Sequence, residues 1–365
     1  MENEAFLSRQ LITYIGNKRN LLPFIAEALI KVKKRLGRDK LKILDAFSGS
    51  GAAARYFKAH AELLLVNDLE AYSEVINRCY LANAQELPLS DIREIHDALL
   101  HRLREEKLKK GFIAELYAPQ DDNNIKNGER VFYTTRNAMF IDTARQYIEE
   151  VDPALKHFFI APLLSEASIH ANTAGVFKGF YKDKYTKKGR FGGTNRDALS
   201  RIKGDIGLPF PVWSNFCCPV KIFREDTNKL ILNLDEVELA YLDPPYNQHP
   251  YGSNYFMLNL ILSYKRPAAF SSVSGIPVDW NRSVYNKKQE AAGAFRELVG
   301  KIRSKFILVS FNSEGFISHG EMRSLLEKTG KVDVFETPYN TFRGSRNLRE
   351  RPAHVREYLY LVEKL

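Results

Sequence analysis

Two apolar runs on either side of a glycine turn, between residues 41 and 68, constrain the fold of this chain more than any other feature. Leu41-Lys42-Ile43-Leu44-Asp45-Ala46-Phe47 reads as a short buried strand. Ser48-Gly49-Ser50-Gly51 reads as a tight turn, and Ala52 to His60 as a helix whose alanines allow close approach to a sheet. Leu63-Leu64-Leu65-Val66 is a second strand, ended by Asn67-Asp68. Glu70 to Asn83 is helical by the spacing of Val75, Ile76, Cys79 and Tyr80. Strand, glycine turn, helix, strand, helix is the opening of a doubly wound α/β sheet.

Ligands of such sheets bind outside the carboxyl ends of the strands. Gly49 and Gly51 let the backbone approach a cofactor, and the helix start behind them offers free N–H groups. Asp68 is placed to accept hydrogen bonds from two ribose hydroxyls, or to cap the following helix. Tyr14-Ile15-Gly16-Asn17-Lys18 puts a flexible glycine beside a lysine ahead of an apolar helix, which suits a carboxylate clamp or a basic helix start.

Asp243-Pro244-Pro245-Tyr246 follows a further strand, Val237 to Leu242. It brings one carboxylate, one free carbonyl and one aromatic ring to the mouth of the sheet. The exocyclic amine of adenine is a poor nucleophile because its lone pair is delocalised into the ring. Acceptors on both its hydrogens draw it toward a tetrahedral form. Asp243 supplies one acceptor and the carbonyl of Pro244 the other. Prolines fix φ and donate nothing, so Pro244 and Pro245 set the loop shape. Tyr246 can stack on a base drawn out of a duplex. The plain alternative is a Pro-Pro turn that ends a strand.

The pattern resumes with strands at Val220–Phe223, Lys305–Phe311, Lys331–Phe335 and Glu357–Val362, the last two as an antiparallel end. Between the halves, residues 90–110, 135–150 and 154–171 read as helices. Residues 173–210 show no clean period. The organisation is therefore a catalytic domain, 1–89 and 216–365, split by an inserted region, 90–215. The chain carries 54 Lys and Arg against 44 Asp and Glu, a net charge of +10, which favours a polyanionic partner. Candidates for phosphate contact are Lys178, Lys182, Lys184, Lys187, Lys188 and Arg190, with Phe180, Tyr181 or Tyr185 as a wedge, and Arg343 and Arg346; each stretch reads otherwise as a solvated surface run. Asn195 and Arg196 are candidates for reading base edges, and Asn172-Thr173 for DNA contact or capping. Cys79, Cys217 and Cys218 lack metal-ligand spacing and read as reduced thiols; no metal is expected. No leader or membrane-length apolar run is visible, so a cytoplasmic protein is expected.

The ordered set Tyr14–Leu22, Asp45–Gly51, Asn67-Asp68, Asp226 in Arg-Glu-Asp-Thr, Asp243–Tyr246, Ser310–Ser313 and Tyr339–Arg356 resembles the Dam-like DNA adenine-N6 methyltransferases in their α arrangement. The resemblance implies a Rossmann-like methyltransferase sheet with an inserted target-recognition domain, S-adenosylmethionine as cofactor and double-stranded DNA as substrate. It implies that Lys18 holds the cofactor carboxylate, with Tyr14 and Gly16 shaping the wall. Asp45, Phe47, Gly49 and Gly51 would line the methionine and ribose side, and Asp226 would accept from the cofactor's adenine amine. A restriction–modification setting follows, with a cognate endonuclease as partner and the methyltransferase as a monomer. An RNA adenine-N6 methyltransferase and a catalytically silent nucleic-acid-binding protein remain as alternatives.

Overall fold

The computed structural model describes residues 1–193, 198–340 and 354–365. Its strands are β1 (Leu41–Asp45), β2 (Ala61–Asn67), β3 (Val220–Phe223), β4 (Val237–Leu242), β5 (Ser304–Asn312), β6 (Gly330–Asn340) and β7 (His354–Lys364). They form one seven-stranded sheet in the order β3-β2-β1-β4-β5-β7-β6. β3, β2, β1, β4 and β5 run parallel, while β7 is antiparallel to β5 and β6 to β7. The strand order reverses between β1 and β4, which opens a crevice at their carboxyl ends.

Alternate residues of each strand feed opposite faces, as the two-residue period of a strand requires. Ile43, Leu64, Tyr241 and Leu308 pack with the Leu22–Leu36 and Ala52–Lys58 helices. Leu44, Leu65, Ala240, Leu242, Ile307 and Val309 pack on the other face with the Lys288–Lys301 and His319–Glu327 helices. Helices on both faces explain the near-continuous apolar runs of β4 and β5.

The predicted strands are all present. β1 ends at Asp45, two residues before the expected limit. Ala46 N–H still bonds the Tyr241 carbonyl at 3.0 Å, but Ser48 N–H already turns to the Asn67 carbonyl at 2.9 Å. β6 runs to Asn340, beyond the expected Phe335, because β7 pairs with it along its whole length.

The predicted helices of the insertion appear as Leu89–Glu105, Thr135–Glu149 and His157–Ile169. Their core is not their own. It is continuous with Phe6, Leu11 and Ile12, with Tyr72, Ile76, Cys79 and Tyr80 of the Ala71–Tyr80 helix, and with Tyr255 to Ile261. Buried Arg55, on the sheet side, donates to the carbonyls of Phe6 and Arg9 and fastens the N-terminal segment to the same body.

Gly51 caps the Ala52–Lys58 helix at φ 75°, and a Cβ there would meet Asn77 Oδ1 at 2.6 Å. Left-handed backbone costs a side-chain-bearing residue roughly 1–2 kcal/mol. Gly51→Ala is therefore expected to destabilise the protein by at least about 1 kcal/mol, read as a lower urea midpoint with an unchanged slope.

Candidate active site

The crevice between β1 and β4 gathers carboxylates. Asp45 ends β1 opposite Val66 of β2 and Tyr241 of β4, fully buried. Burial, then the nearby Asp243 and Asp68, hold its carboxyl well above the usual range. Beyond it the chain makes its glycine turn. Gly49 sits at φ 53°, where a Cβ would approach the Tyr14 ring to 2.7 Å, so only glycine admits this contact. Asp68 closes the far side. Its Oδ2 accepts from Gly49 N–H at 2.7 Å and its Oδ1 from Glu70 N–H at 2.8 Å. Burial raises its pKa to about 6, against those same backbone hydrogen bonds. Asp68 does not cap the Ala71–Tyr80 helix, whose N-cap is Glu70; its carboxylate holds two backbone N–H groups of the turns and lines the cleft.

Asp243, Pro245 and Tyr246 line the same cleft as Tyr14, Gly16, Lys18, Phe47, Gly49, Asp68 and Asp226. Pro244 is buried beside them. Lys18 is 4% exposed, and its Nζ lies 3.3 Å from Asp243 Oδ1 and 3.7 Å from Glu357 Oε2. Burial pulls the Lys18 pKa down, but these two carboxylates outweigh it and hold it above its ordinary value. Asp243 is pushed up to about 6 by burial, with Lys18 restraining the rise. The Tyr246 ring packs edge-on to Phe311, with centroids 5.8 Å apart, and its carbonyl accepts from Phe316 N–H. Asn286 Nδ2 donates to the Asn247 carbonyl at 2.8 Å and ties down the loop after the motif.

Of the other lining residues, Tyr251, Glu70 and Tyr285 carry no signal in the sequence. Tyr14 stacks on both Tyr251 and Tyr255, at centroid distances of 4.9 and 4.8 Å. Glu70 is buried, accepts from Asn259 Nδ2 at 2.8 Å, and has its pKa raised to about 7 by burial. Phe47 lies edge-on to Tyr285 at 5.3 Å. Asp226 caps the short Thr227–Leu230 helix by accepting from Lys229 N–H at 3.2 Å. Glu357 was visible only as an acid amid the apolar residues of β7.

The stretch expected to be irregular, Lys178–Arg190, closes on itself. Lys182 and Gly189 form an antiparallel bridge, and Asp183 Oδ1 accepts from Tyr185 N–H and Thr186 N–H in the turn. Lys184, Lys187 and Lys188 are exposed at the tip beside Tyr185, which is 84% exposed. Lys182 lies over the Phe180 ring, 4.9 Å from its centroid. Lys178 stands apart, its Nζ 3.3 Å from His249 Nδ1. Arg190 bonds the carbonyl of Gly192 and pairs with Asp183 at 3.8 Å. Two expectations change. Phe180 is no wedge: it is buried against Phe132, centroids 5.2 Å apart. Asn172 is a structural tie, donating to the carbonyls of Val131 and Arg190 and accepting from Gly192 N–H. Asn195, Arg196, Arg343 and Arg346 lie outside the described residues.

The family of D12 class N6 adenine-specific DNA methyltransferases matches residues 14–325. The chain belongs to that family. It is similar to the Type II methyltransferase M.NlaIII of Neisseria lactamica, 30% identical over 363 residues, covering 97% of this chain and 99% of the relative. It is 31% identical over 356 residues to the Type II methyltransferase M.CviAII of Paramecium bursaria Chlorella virus 1, covering 96% and 98%. Against the Type II methyltransferase M.FokI of Planomicrobium okeanokoites it is 27% identical, covering 96% of this chain but 52% of that one. This adenine methyltransferase therefore acts on DNA and transfers a methyl group to adenine N6. Among the described residues, no helix is long and apolar enough to cross a membrane.

Lys18 is the cation nearest Asp243 in the cleft. Lys18→Met is expected to move the Asp243 carboxyl above its present value of about 6, checked by carbon-detected NMR titration of the unliganded protein. An unchanged titration would contradict the charge pairing described here.

Proposed function

We propose that this adenine methyltransferase takes its methyl group from S-adenosylmethionine and delivers it to an adenine flipped out of duplex DNA. The observation that carries this reading is the shared crevice. Asp243, Pro245 and Tyr246, after the end of β4, face the same space as the glycine turn after β1 and Asp68 after β2.

The donor set suits the cofactor. A carboxylate has about four lone-pair sites, so Asp68 keeps acceptors for ribose hydroxyls while holding two backbone N–H groups. Asp226 accepts from the cofactor's adenine amine. Phe47 and the Tyr14 ring wall the pocket, Gly16, Gly49 and Gly51 admit close approach, and Asp45 lines its floor. Lys18, whose ammonium already faces Asp243 and Glu357, offers its remaining donor capacity to the cofactor carboxylate. Bound S-adenosylmethionine supplies a methyl group already activated on a sulfonium.

The chain then has to position and polarise. Asp243 and the Pro244 carbonyl accept the two hydrogens of the target amine, Pro245 fixes the loop, and Tyr246 stacks on the base. Recognition falls to the 90–215 region, joined to a catalytic unit of 1–89 and 216–365. There Lys178, Lys182, Lys184, Lys187, Lys188 and Arg190 meet phosphates and exposed Tyr185 wedges into the opened step. The full-length similarity to two type II methyltransferases supports a restriction–modification role, in the cytoplasm, as a monomer beside a cognate endonuclease.

Base-modification sequencing of DNA from a host that expresses the chain tests the reading: N6-methyladenine is expected within one recurring sequence. Asp243→Ala is expected to lower turnover by roughly a thousandfold or more, with DNA affinity by gel shift nearly unchanged. Asp243 must be ionised to accept. Turnover per unit substrate, kcat/KM, is therefore expected to be full above its pKa and to fall as pH drops through about 6. Asp68→Ala is expected to weaken cofactor binding, and an unchanged affinity by calorimetry would remove its role.

A further inference from the structure

Glu357 is a buried acid that no motif accounts for. It sits on β7, 3% exposed, opposite Asn312 of β5 and Thr337 of β6. Its Oε2 has no hydrogen-bond partner among the described residues, nor has Lys18 Nζ. The closest opposite charges are each other, at 3.7 Å, and Asp243 Oδ1, at 3.3 Å from the same ammonium. One cation thus stands between two carboxylates, at distances longer than the usual charge-assisted bond to either.

We propose that Glu357 is a positioning residue: it draws Lys18 partly away from Asp243 and so keeps the Asp243 carboxylate open to the incoming amine. This rests on the functional proposal above.

Lysine is a point charge on a flexible stem. Left with a single carboxylate it closes to a charge-assisted bond of about 2.7–2.9 Å. Such a bond would occupy the lone pairs that the adenine amine needs and cancel the charge that polarises it. The second carboxylate prevents this. It leaves the trio with one net negative charge, in a cleft that must stabilise positive charge developing on the amine nitrogen. Asp243 is also faced by Asp45 of β1 and by the phenols of Tyr241, Tyr246 and Tyr251. Among the described residues, Glu357 is the acid other than Asp243 that pairs with the Lys18 ammonium. Its charge raises the proton affinity of Asp243, so its loss should act in the opposite direction.

The test uses the full chain with Glu357→Gln and Glu357→Asp. For Glu357→Gln, kcat is expected to fall roughly tenfold, with the KM for DNA and the calorimetric affinity for S-adenosylmethionine changed less than about threefold. The acid limb of kcat/KM is expected to move to lower pH by about half a pH unit or more. In the cofactor-free protein, carbon-detected NMR should show Asp243 titrating lower by the same amount. Glu357→Asp keeps the charge but withdraws it by one methylene, so it should fall between the two in turnover and in titration. An Asp243 titration and acid limb identical to wild type in Glu357→Gln overturn the proposal, whatever the turnover. Should that variant not fold, Glu357→Asp decides, and a wild-type Asp243 titration in it overturns the proposal. A wild-type chain that methylates no DNA adenine would sink the functional reading instead, and the NMR titration would still judge Glu357.

Discussion

One ammonium, on Lys18, stands against two of the acids crowded at the carboxyl edge of the sheet, Asp243 and Glu357. Asp45, Asp68 and Asp243 all have their proton affinity raised, above all by burial. Charges removed from water are costly unless paired. The cost is met by bringing together parts that are remote in the chain: the N-terminal segment with Lys18, the ends of β1 and β4, and β7 with Glu357. The sheet order β3-β2-β1-β4-β5-β7-β6 makes that meeting possible. It sets β1 beside β4 across the switch point and carries the antiparallel β7 back beside β5.

The same arrangement shows why stability and activity pull apart here. A pocket of buried carboxyls that hold their protons more tightly than usual gains most from donors and cations. Without them it is strained electrostatically. Proteins commonly keep such sites at some expense of stability. The backbone N–H groups of Gly49 and Glu70 relieve Asp68, and Lys18 relieves Asp243. Asp45 is fully buried, and the backbone N–H groups of Phe47 and Ala54 restrain the rise of its carboxyl.

Much of this was legible in the sequence, for physical reasons. Strands buried on both faces read as apolar runs, and Leu41–Asp45, Val237–Leu242 and Ser304–Asn312 are of that kind. Acids at strand ends are informative because open α/β sheets bind ligands there, which is why Asp45, Asp68 and Asp243 were found. Phe256–Ser263 was missed because it is apolar all round and has no helical face to detect. Tyr251, Tyr255 and Glu357 were missed because their meaning lies in partners at the other end of the chain. The Tyr14 ring that joins the two tyrosines, and the Lys18 that joins the acid, are both N-terminal. Phe180 misled because an aromatic among lysines reads as a surface wedge, whereas tertiary packing against Phe132 took it inside.

The continuity of the helical core has a practical consequence for anyone hoping to redirect this enzyme. Residues 90–213 do not detach as a cassette. Trp213 Nε1 bonds the Cys79 carbonyl, Ser165 bonds the Leu11 carbonyl, and Phe177 N–H bonds the Asn254 carbonyl. A chimera that imports these helices from a relative, and leaves behind the donor's first dozen residues, its Ala71–Tyr80 helix and its 251–264 segment, inherits mismatched seams on three sides. Grafting has to follow the packing rather than the linear order of the motifs.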